Sequence, residues 1–250
     1  MTVQIETGDG LAEAWVARPE DTERALPGVL LFMDAFGLRP QIREMAQRIA
    51  DGGYVVLAPN VFHRSGSVEE IAPTADLREP EGRDRALEQA IPRMNELTPG
   101  LSRADTTRYL EALAELPGVA GDAPVGVIGY CMGARLALRA GGDHPDRVAA
   151  VGGFHGGGLV TEEPDSPHRS LASTRAAVLL RHADDDPSMP VEGMDVIASL
   201  AEDAGVDLGQ SVYPGAPHGY SMADTAMYEP SAAERHFAEL QAHLGRHLPA

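Results

Sequence analysis

Short runs rich in apolar residues recur along the chain and predict strands that are covered on both faces. These runs lie at 28–33, 54–58, 125–128, 147–153, 177–180 and 208–213. Between them, apolar residues repeat at the spacing of an amphipathic helix. The predicted helices are 41–51, 83–95, 102–116, 132–140, 191–204 and one that begins near Pro230. The alternation favours an α/β class protein with a mostly parallel central sheet, helices on both faces, and a single domain over 1–250.

Two segments depart from this alternation. Residues 3–6 and 11–17 flank a Gly-Asp-Gly turn, which predicts an antiparallel hairpin at the start of the chain. Residues 63–104 are rich in Glu, Arg and Pro and contain one predicted helix. We expect this excursion to cover the active-site edge of the sheet, because it lacks the Gly/Ser-rich composition of a flexible linker.

Capping signals predict where two of the helices begin. Ser102 with Asp105 has the spacing of a capping box for the helix that ends near residue 116. Pro230 and Ser231, with Glu234 three positions after the serine, have the same pattern at the start of the last helix.

Charge and cysteine content narrow the function classes. The 250 residues carry 38 acidic and 20 basic side chains, a net charge of −18. Such a field repels phosphate backbones and anionic lipid, so neither nucleic acid nor a membrane is an expected partner. No signal peptide pattern is visible, and the single cysteine excludes an internal disulfide. We expect a cytoplasmic protein, a monomer or weak homodimer, that acts on a small molecule.

The sequence around the single cysteine points to nucleophilic chemistry. Gly129-Tyr130-Cys131-Met132-Gly133 follows a predicted strand and opens a predicted helix. This is the context of a nucleophile elbow, G-x-S-x-G, with cysteine in place of serine. The helix N-terminus favours a thiolate and a developing oxyanion. A structural cysteine in a tight turn is the alternative, because free cysteine often behaves as a small core hydrophobe.

An acid and a histidine follow in the order that such a site requires. Asp184, Asp185 and Asp186 come after the strand 177–180, and His218 comes after the strand 208–213. Parallel sheets keep their sites at the carboxyl ends of the strands, so these side chains are expected at one edge with Cys131. The residues alone leave open which of the three acids serves, and an acidic loop that is only solvated is the alternative.

These segments together resemble the dienelactone hydrolase family of α/β-hydrolases. The motifs are G-Y-C-M-G, D-P-S-M-P, P-G-A-P-H-G-Y and residues 31–64, and the resemblance runs from about residue 27 onward. It implies that Cys131 is the nucleophile, His218 the base and Asp186 the acid that orients the base. It also implies an oxyanion hole made by the backbone N–H groups of Met132 and Ala35.

Two positions depart from the family pattern. Asp34 stands where the family usually has a glutamate that pairs with the resting thiol, and Phe36 and Arg39 follow it in the same substrate loop. The alternative for Asp34 is a carboxylate at the end of a strand that orders the following loop. Met222 stands where reference members carry an arginine that grips a substrate carboxylate. We therefore expect neutral substrates to be preferred. The alternative is that Arg39, Arg43 or an arginine of the excursion, such as Arg78 or Arg83, takes the place of the missing arginine.

Four further side chains are candidates to line the pocket, because they lie near the predicted edge. For the two histidines among them, a role in ordering a loop or supporting the site is the alternative. They are Tyr130, His155, His182 and Tyr220.

The sequence thus predicts a cysteine hydrolase that cleaves a small ester or lactone through an acyl-enzyme, with no cofactor and no metal. One alternative is a non-catalytic relative that binds a small ligand or senses oxidants through Cys131. A second alternative is a metal hydrolase that uses the acids 184–186 with His182.

Overall fold

The apolar runs form neighbouring strands of one sheet. The computed structural model describes residues 1–20 and 24–248, so residues 21–23 and 249–250 of the predicted domain lie outside the described part. Within it, eight strands follow the order β1-β2-β4-β3-β5-β6-β7-β8. Their bounds are β1 Thr2–Thr7, β2 Gly10–Ala17, β3 Gly28–Phe32, β4 Val55–Pro59, β5 Val125–Tyr130, β6 Val148–Phe154, β7 Ala177–His182 and β8 Leu208–Val212. The predicted hairpin β1–β2 is antiparallel, β2 joins β4 antiparallel, and the remaining pairs are parallel.

Helices cover both faces of this sheet. Their bounds are α1 Pro40–Ala50, α2 Val68–Ile71, α3 Pro80–Glu96, α4 Pro99–Glu115, α5 Met132–Asp143, α6 Val191–Ala204 and α7 Pro230–His247, with a 3-10 helix at Pro167–Ala172. Two glycines of β5 show which helix covers each face of the sheet. A Cβ at Gly126 would meet Leu244 of α7, whereas one at Gly129 would meet the backbone of α5. Because successive residues of a strand point to opposite faces, this explains why β5 is buried at every position.

Both predicted capping boxes are wrong. Helix α4 begins three residues earlier than expected, with Thr98 accepting a hydrogen bond from Leu101 N, and Asp105 is instead paired with Arg64. Helix α7 is capped by the side chain of Glu229, which accepts from the N–H groups of residues 231 and 232. The glutamate expected to complete that box, Glu234, binds Arg48. In each case a proline at the first helical position begins the helix before the expected serine.

The excursion contains more structure than the one predicted helix. Besides α3, it contains the short helix α2, whose N-terminus is capped by a capping box between Ser67 and Glu70. The segment is tied to the rest of the chain by Arg64, whose guanidinium contacts both oxygens of Asp105 at 2.7 and 2.8 Å. No helix in the described ranges is long and apolar enough to cross a bilayer.

Candidate active site

Cys131 lies on the sharp turn between β5 and α5. Its φ of 52° is in the left-handed region that side chains other than glycine rarely adopt, so the turn is strained. The flanking glycines explain how the turn closes. A Cβ at Gly129 would lie 2.0 Å from Gly133 O, and a Cβ at Gly133 would lie 2.5 Å from Met33 O. The chain can therefore pass from strand to helix here only without side chains at these two positions, and the turn presents the thiol at the sheet edge.

Three side chains from separate loops are in contact at this edge. Cys131 Sγ lies 3.0 Å from His218 Nε2, and His218 Nδ1 lies 2.6 Å from Asp186 Oδ2. Asp186 follows β7 and His218 follows β8, which are neighbours in the sheet. Among the three consecutive acids, Asp184 instead accepts a hydrogen bond from Gly215 N. The geometry thus singles out Asp186, the acid that the resemblance to the family implies.

The contact between Asp186 and His218 stabilises the charged form of each group. Burial opposes ionisation of Asp186, but hydrogen bonds from His218 and Ser188 outweigh it and lower the pKa of the carboxyl to about 2. Burial likewise opposes protonation of His218, but its contacts with Asp186 and Cys131 outweigh that and raise the pKa of the imidazole to about 10. The arrangement therefore favours an ionised carboxylate beside a protonated imidazole, which can stabilise a thiolate.

Two residues beside Cys131 have backbone N–H groups without an acceptor in the part of the chain that the structure describes. Met132 is the first residue of α5, and Ala35 lies just after β3; both line the cavity beside Cys131. Neither N–H donates to an acceptor among the described residues. Donors without an acceptor beside a nucleophile are the kind of group that binds a developing oxyanion, and the oxyanion hole that the resemblance implied stays a prediction.

The cavity beside Cys131 is largely apolar. Its volume is about 380 Å³, which suits a small organic molecule. Its larger apolar side chains come from four separate segments, and they are Phe36, Leu87, Met94, Met132, Met222 and Met227. Two guanidinium groups, those of Arg83 and Arg135, also line it. Arg83 is one of the arginines that could take the place of the family's arginine, and the expected preference for neutral substrates stays a prediction.

Asp34 does not pair with the thiol. Its Oδ1 and Oδ2 lie 2.6 and 2.9 Å from the two terminal nitrogens of Arg39, and Phe36 N donates to Oδ1 at 3.0 Å. Arg39 in turn donates to Asp224 through Nε at 2.5 Å. Of the two interpretations of Asp34, the role as thiol partner is wrong, because aspartate is short and both of its oxygens are bound to one guanidinium. The contacts fit the alternative, a carboxylate that orders the following loop.

The four candidate pocket residues divide into one that lines the cavity and three that do not. His155 is fully buried, lines the cavity and places its ring centroid 5.4 Å from that of His218. Tyr130 is directed away from the cavity and its hydroxyl lies 3.0 Å from His236 Nε2. His182 Nε2 is bound to Gln210, and the hydroxyl of Tyr220 donates to Arg181 O. The prediction is wrong for Tyr130, His182 and Tyr220, because sequence proximity to the edge does not decide the side on which a side chain packs.

Sequence reasoning missed several residues of the site. Ser188 contacts both Asp186 and His218, and it lies only two positions after the acid, a spacing that allows a side chain to bond back to an aspartate. Arg135 follows Cys131 by four positions and lies in the first turn of α5, so its spacing from the cysteine places it near the elbow. The cavity residues of α3 carried no such local signal, because their position depends on how the excursion folds back.

The residues proposed for a metal site have other partners. Asp186 and Asp184 are bound as described above, and His182 is held by Gln210. Across residues 1–20 and 24–248, no group of three or more acidic, cysteine or histidine side chains has an arrangement that could hold a metal ion.

Known proteins match this chain over nearly its whole length. The model of the dienelactone hydrolase family matches residues 12–248. A carboxymethylenebutenolidase of Rhodococcus opacus is 27% identical over 209 residues, which are 83% of this chain and 75% of that protein. A metagenomic dienelactone hydrolase-like promiscuous phosphotriesterase superposes with a TM-score of 0.77 at 23% identity, covering 99% of this chain and 98% of that one. For a dienelactone hydrolase of Anabaena variabilis the TM-score is 0.66 at 19% identity, with 99% and 97% covered.

The two similar structures show the fold, and the match to the family model shows the family. The chain has the α/β-hydrolase fold and belongs to the dienelactone hydrolase family of hydrolases.

Proposed function

We propose that this protein hydrolyses small esters or lactones, with Cys131 as nucleophile, His218 as general base and acid, and Asp186 as the group that orients His218. The observation that carries the proposal is the unbroken contact from Cys131 Sγ through His218 to Asp186, beside a largely apolar cavity that Met132 and Ala35 also line. A nucleophile, a base within hydrogen-bond reach and a third group that fixes the base are the components of a covalent hydrolase.

The first half of the reaction forms a thioester. The Cys131 thiolate attacks the carbonyl carbon, and the negative charge that develops on the carbonyl oxygen is bound by the N–H groups of Met132 and Ala35. As the intermediate collapses, the C–O bond to the leaving group breaks. The imidazolium of His218 gives its proton to the departing alkoxide, which leaves as an alcohol or, for a lactone, as the other end of the same molecule.

The second half returns the enzyme to its resting state. His218, now neutral, accepts a proton from a water molecule as that water attacks the thioester carbonyl carbon. The C–S bond then breaks, a carboxylic acid is released, and Cys131 and His218 are again a thiolate and an imidazolium. Asp186 stays ionised throughout and stabilises the imidazolium each time it forms.

The lining of the cavity supports a substrate with an apolar body. Thioether and aromatic side chains surround the thiol, and methionines adapt to irregular apolar shapes. The relative from Rhodococcus opacus is named for a butenolide, which is a lactone, and this supports lactones within the substrate class.

Turnover of p-nitrophenyl acetate tests the proposal. We expect an initial burst of p-nitrophenol equal to the enzyme concentration if the acyl-enzyme accumulates, and a labelled Cys131 after treatment with iodoacetamide. Cys131→Ala and His218→Ala should each lower kcat/KM by at least about 100-fold, since a positioned base contributes that much. Labelling of Cys131 without turnover of any ester or lactone in a graded panel would instead favour the ligand binder or oxidant sensor.

A further inference from the structure

Ser188 is in contact with two members of the proposed catalytic group. Its hydroxyl donates to Asp186 Oδ1 at 2.7 Å, and its backbone N–H donates to the same oxygen at 2.9 Å. The hydroxyl oxygen also lies 3.3 Å from His218 Nδ1. Asp186 Oδ2 accepts from His218 at 2.6 Å. The two oxygens of the carboxylate are therefore committed to different partners, Oδ1 to Ser188 and Oδ2 to His218.

The glycine loop after β6 shapes the place that Ser188 occupies. Gly158 N donates to Ser188 O at 2.7 Å, which ties the two loops together. At Gly157 there is no room for a side chain, because a Cβ would lie 2.5 Å from Ser188 Oγ and 2.9 Å from Ser188 Cβ. Arg135 holds the same loop by donating from Nε to Gly157 O at 2.7 Å. The serine is thus held by contacts from two other loops as well as by its own turn.

We propose that Ser188 is a positioning residue that fixes the rotation of the Asp186 carboxylate, and through it the ring of His218, with Gly157 as the position that makes room for it. This inference rests on the proposed function, since Asp186 matters for turnover only if His218 is the base. Ser188 does not touch the reacting atoms, and so its contribution is made through Asp186.

The physical reason is that a carboxylate held by one partner alone can rotate. With the Ser188 hydroxyl on Oδ1, only one orientation gives Oδ2 a straight contact with His218, and the imidazole is held with Nε2 towards the thiol. Ser188 is exposed at the mouth of the cavity, so water can take the place of a missing hydroxyl. The loss of the hydroxyl should therefore cost much less than the loss of Asp186 itself.

The first test removes and restores the hydroxyl. Ser188→Ala should lower kcat for p-nitrophenyl acetate roughly 10-fold, the effect of one hydrogen bond to a charged group, while KM changes less than about 2-fold. Ser188→Thr keeps the hydroxyl and should recover at least half of the original kcat. Ser173→Ala is the matched control, because the Ser173 hydroxyl binds Gly142 O on an exposed surface away from the cavity.

A spectroscopic readout separates positioning from mere loss of stability. The proton on His218 Nδ1, shared with Asp186, should give a strongly downfield proton NMR signal below about pH 9, because the pKa of His218 is raised to about 10. We expect that signal to move or broaden in Ser188→Ala and to return in Ser188→Thr. A variant that is only less stable would keep the signal unchanged.

The second test uses the neighbouring glycine. Gly157→Ala should lower kcat as much as Ser188→Ala or more, because its Cβ displaces the serine. Ser188→Gly removes Ser188 Oγ and Cβ, the two atoms that the new Cβ at position 157 would meet. We expect the double variant Gly157→Ala/Ser188→Gly to be no slower than Gly157→Ala alone. Additive losses would mean that Gly157 acts independently of Ser188 and would contradict this part of the inference.

Failure of the inference and failure of the proposed function give different results. If Ser188→Ala keeps kcat within 2-fold and leaves the NMR signal unchanged while Cys131→Ala abolishes turnover, the positioning role is refuted and the hydrolase stands. If Cys131→Ala retains turnover, the proposed function itself is refuted.

Discussion

Two aspartates occupy equivalent places in this sheet and have opposite surroundings. Asp34 follows β3 and Asp186 follows β7; both are at most 8% exposed, and both line the same cavity. Asp34 is bound on both oxygens by the guanidinium of Arg39, whereas Asp186 is shared between an imidazole and a hydroxyl. The same residue type at the same edge thus has a permanent cation as partner in one loop and a titratable base in the other.

The difference shows what gives a buried carboxylate its role. Arginine stays protonated at every relevant pH, so the Asp34–Arg39 pair holds the loop after β3 but has no proton to transfer. Histidine gains and loses a proton near neutrality, so a carboxylate that faces it controls the basicity of another group. The position of an acid at the sheet edge is therefore a poor guide to catalysis until its partner is known.

The largest expected effect is the loss of activity when Asp186 is changed. Asp186→Asn should lower kcat/KM by about 10³–10⁴-fold, because an amide cannot stabilise the imidazolium and favours the wrong tautomer of His218. Ester turnover measures it. Asp184→Asn is the matched control and should retain activity within a few fold. If Asp184→Asn is the damaging change and Asp186→Asn is not, the assignment of the acid is wrong.

The next largest expected effect is a loss of thermal stability when Asp34 loses its partner Arg39. Arg39→Met should leave Asp34 and Asp224 without their cation, and loss of one partner of a buried pair costs about 3–5 kcal/mol. For a chain of this size we expect the melting temperature to fall by about 10 °C. Differential scanning calorimetry measures this. Arg39→Lys keeps the charge and should lose less, and a melting temperature unchanged in Arg39→Met would show that the pair is not structural.

A smaller effect follows from the pKa of Asp186. The folded value of about 2 lies below the usual 3.8, so the carboxylate stabilises the fold above about pH 4 and loses that contribution as the pH falls through 2. The folded pKa of His218, about 10, lies above the usual 6.5, so its contribution is complete below pH 6.5 and is lost as the pH rises through 10. The difference in unfolding free energy between the parent and Asp186→Asn should therefore be largest between about pH 4 and 6.5. Urea denaturation at a series of pH values tests this, and a difference that does not vary with pH would contradict it.

The smallest effect is expected for the thiol when Asp34 is changed. Because Asp34 is bound to Arg39 and Cys131 to His218, Asp34→Ala should leave the pH dependence of Cys131 alkylation by iodoacetamide unchanged while lowering thermal stability. His218→Ala is the contrasting variant and should shift that dependence to higher pH, since the thiol loses its cationic partner. A shifted profile in Asp34→Ala would restore this aspartate as a partner of the thiol.

Local patterns predicted much of the molecule. The strand runs and amphipathic helices were recognised because their periodicity is set by residues a few positions apart, and α6 has the bounds predicted from its own sequence. The turn at Cys131 was recognisable for the same reason, since its glycines act on atoms within a few residues. The two helix caps were misplaced because nearby prolines competed with the expected serines.

Local sequence patterns are enough to specify the order of strands and helices, the elbow, and the succession of cysteine, acid and histidine beyond the ends of parallel strands. Which side chains come into contact depends on how distant segments pack. Arg39 binds Asp224, which is 185 positions away, and the same guanidinium binds both oxygens of Asp34. Ser188 reaches Asp186 in a space left open by Gly157, and Tyr130 turns to His236 instead of the cavity. Such choices depend on atoms brought together by packing of distant segments, and no periodicity or local spacing encodes them.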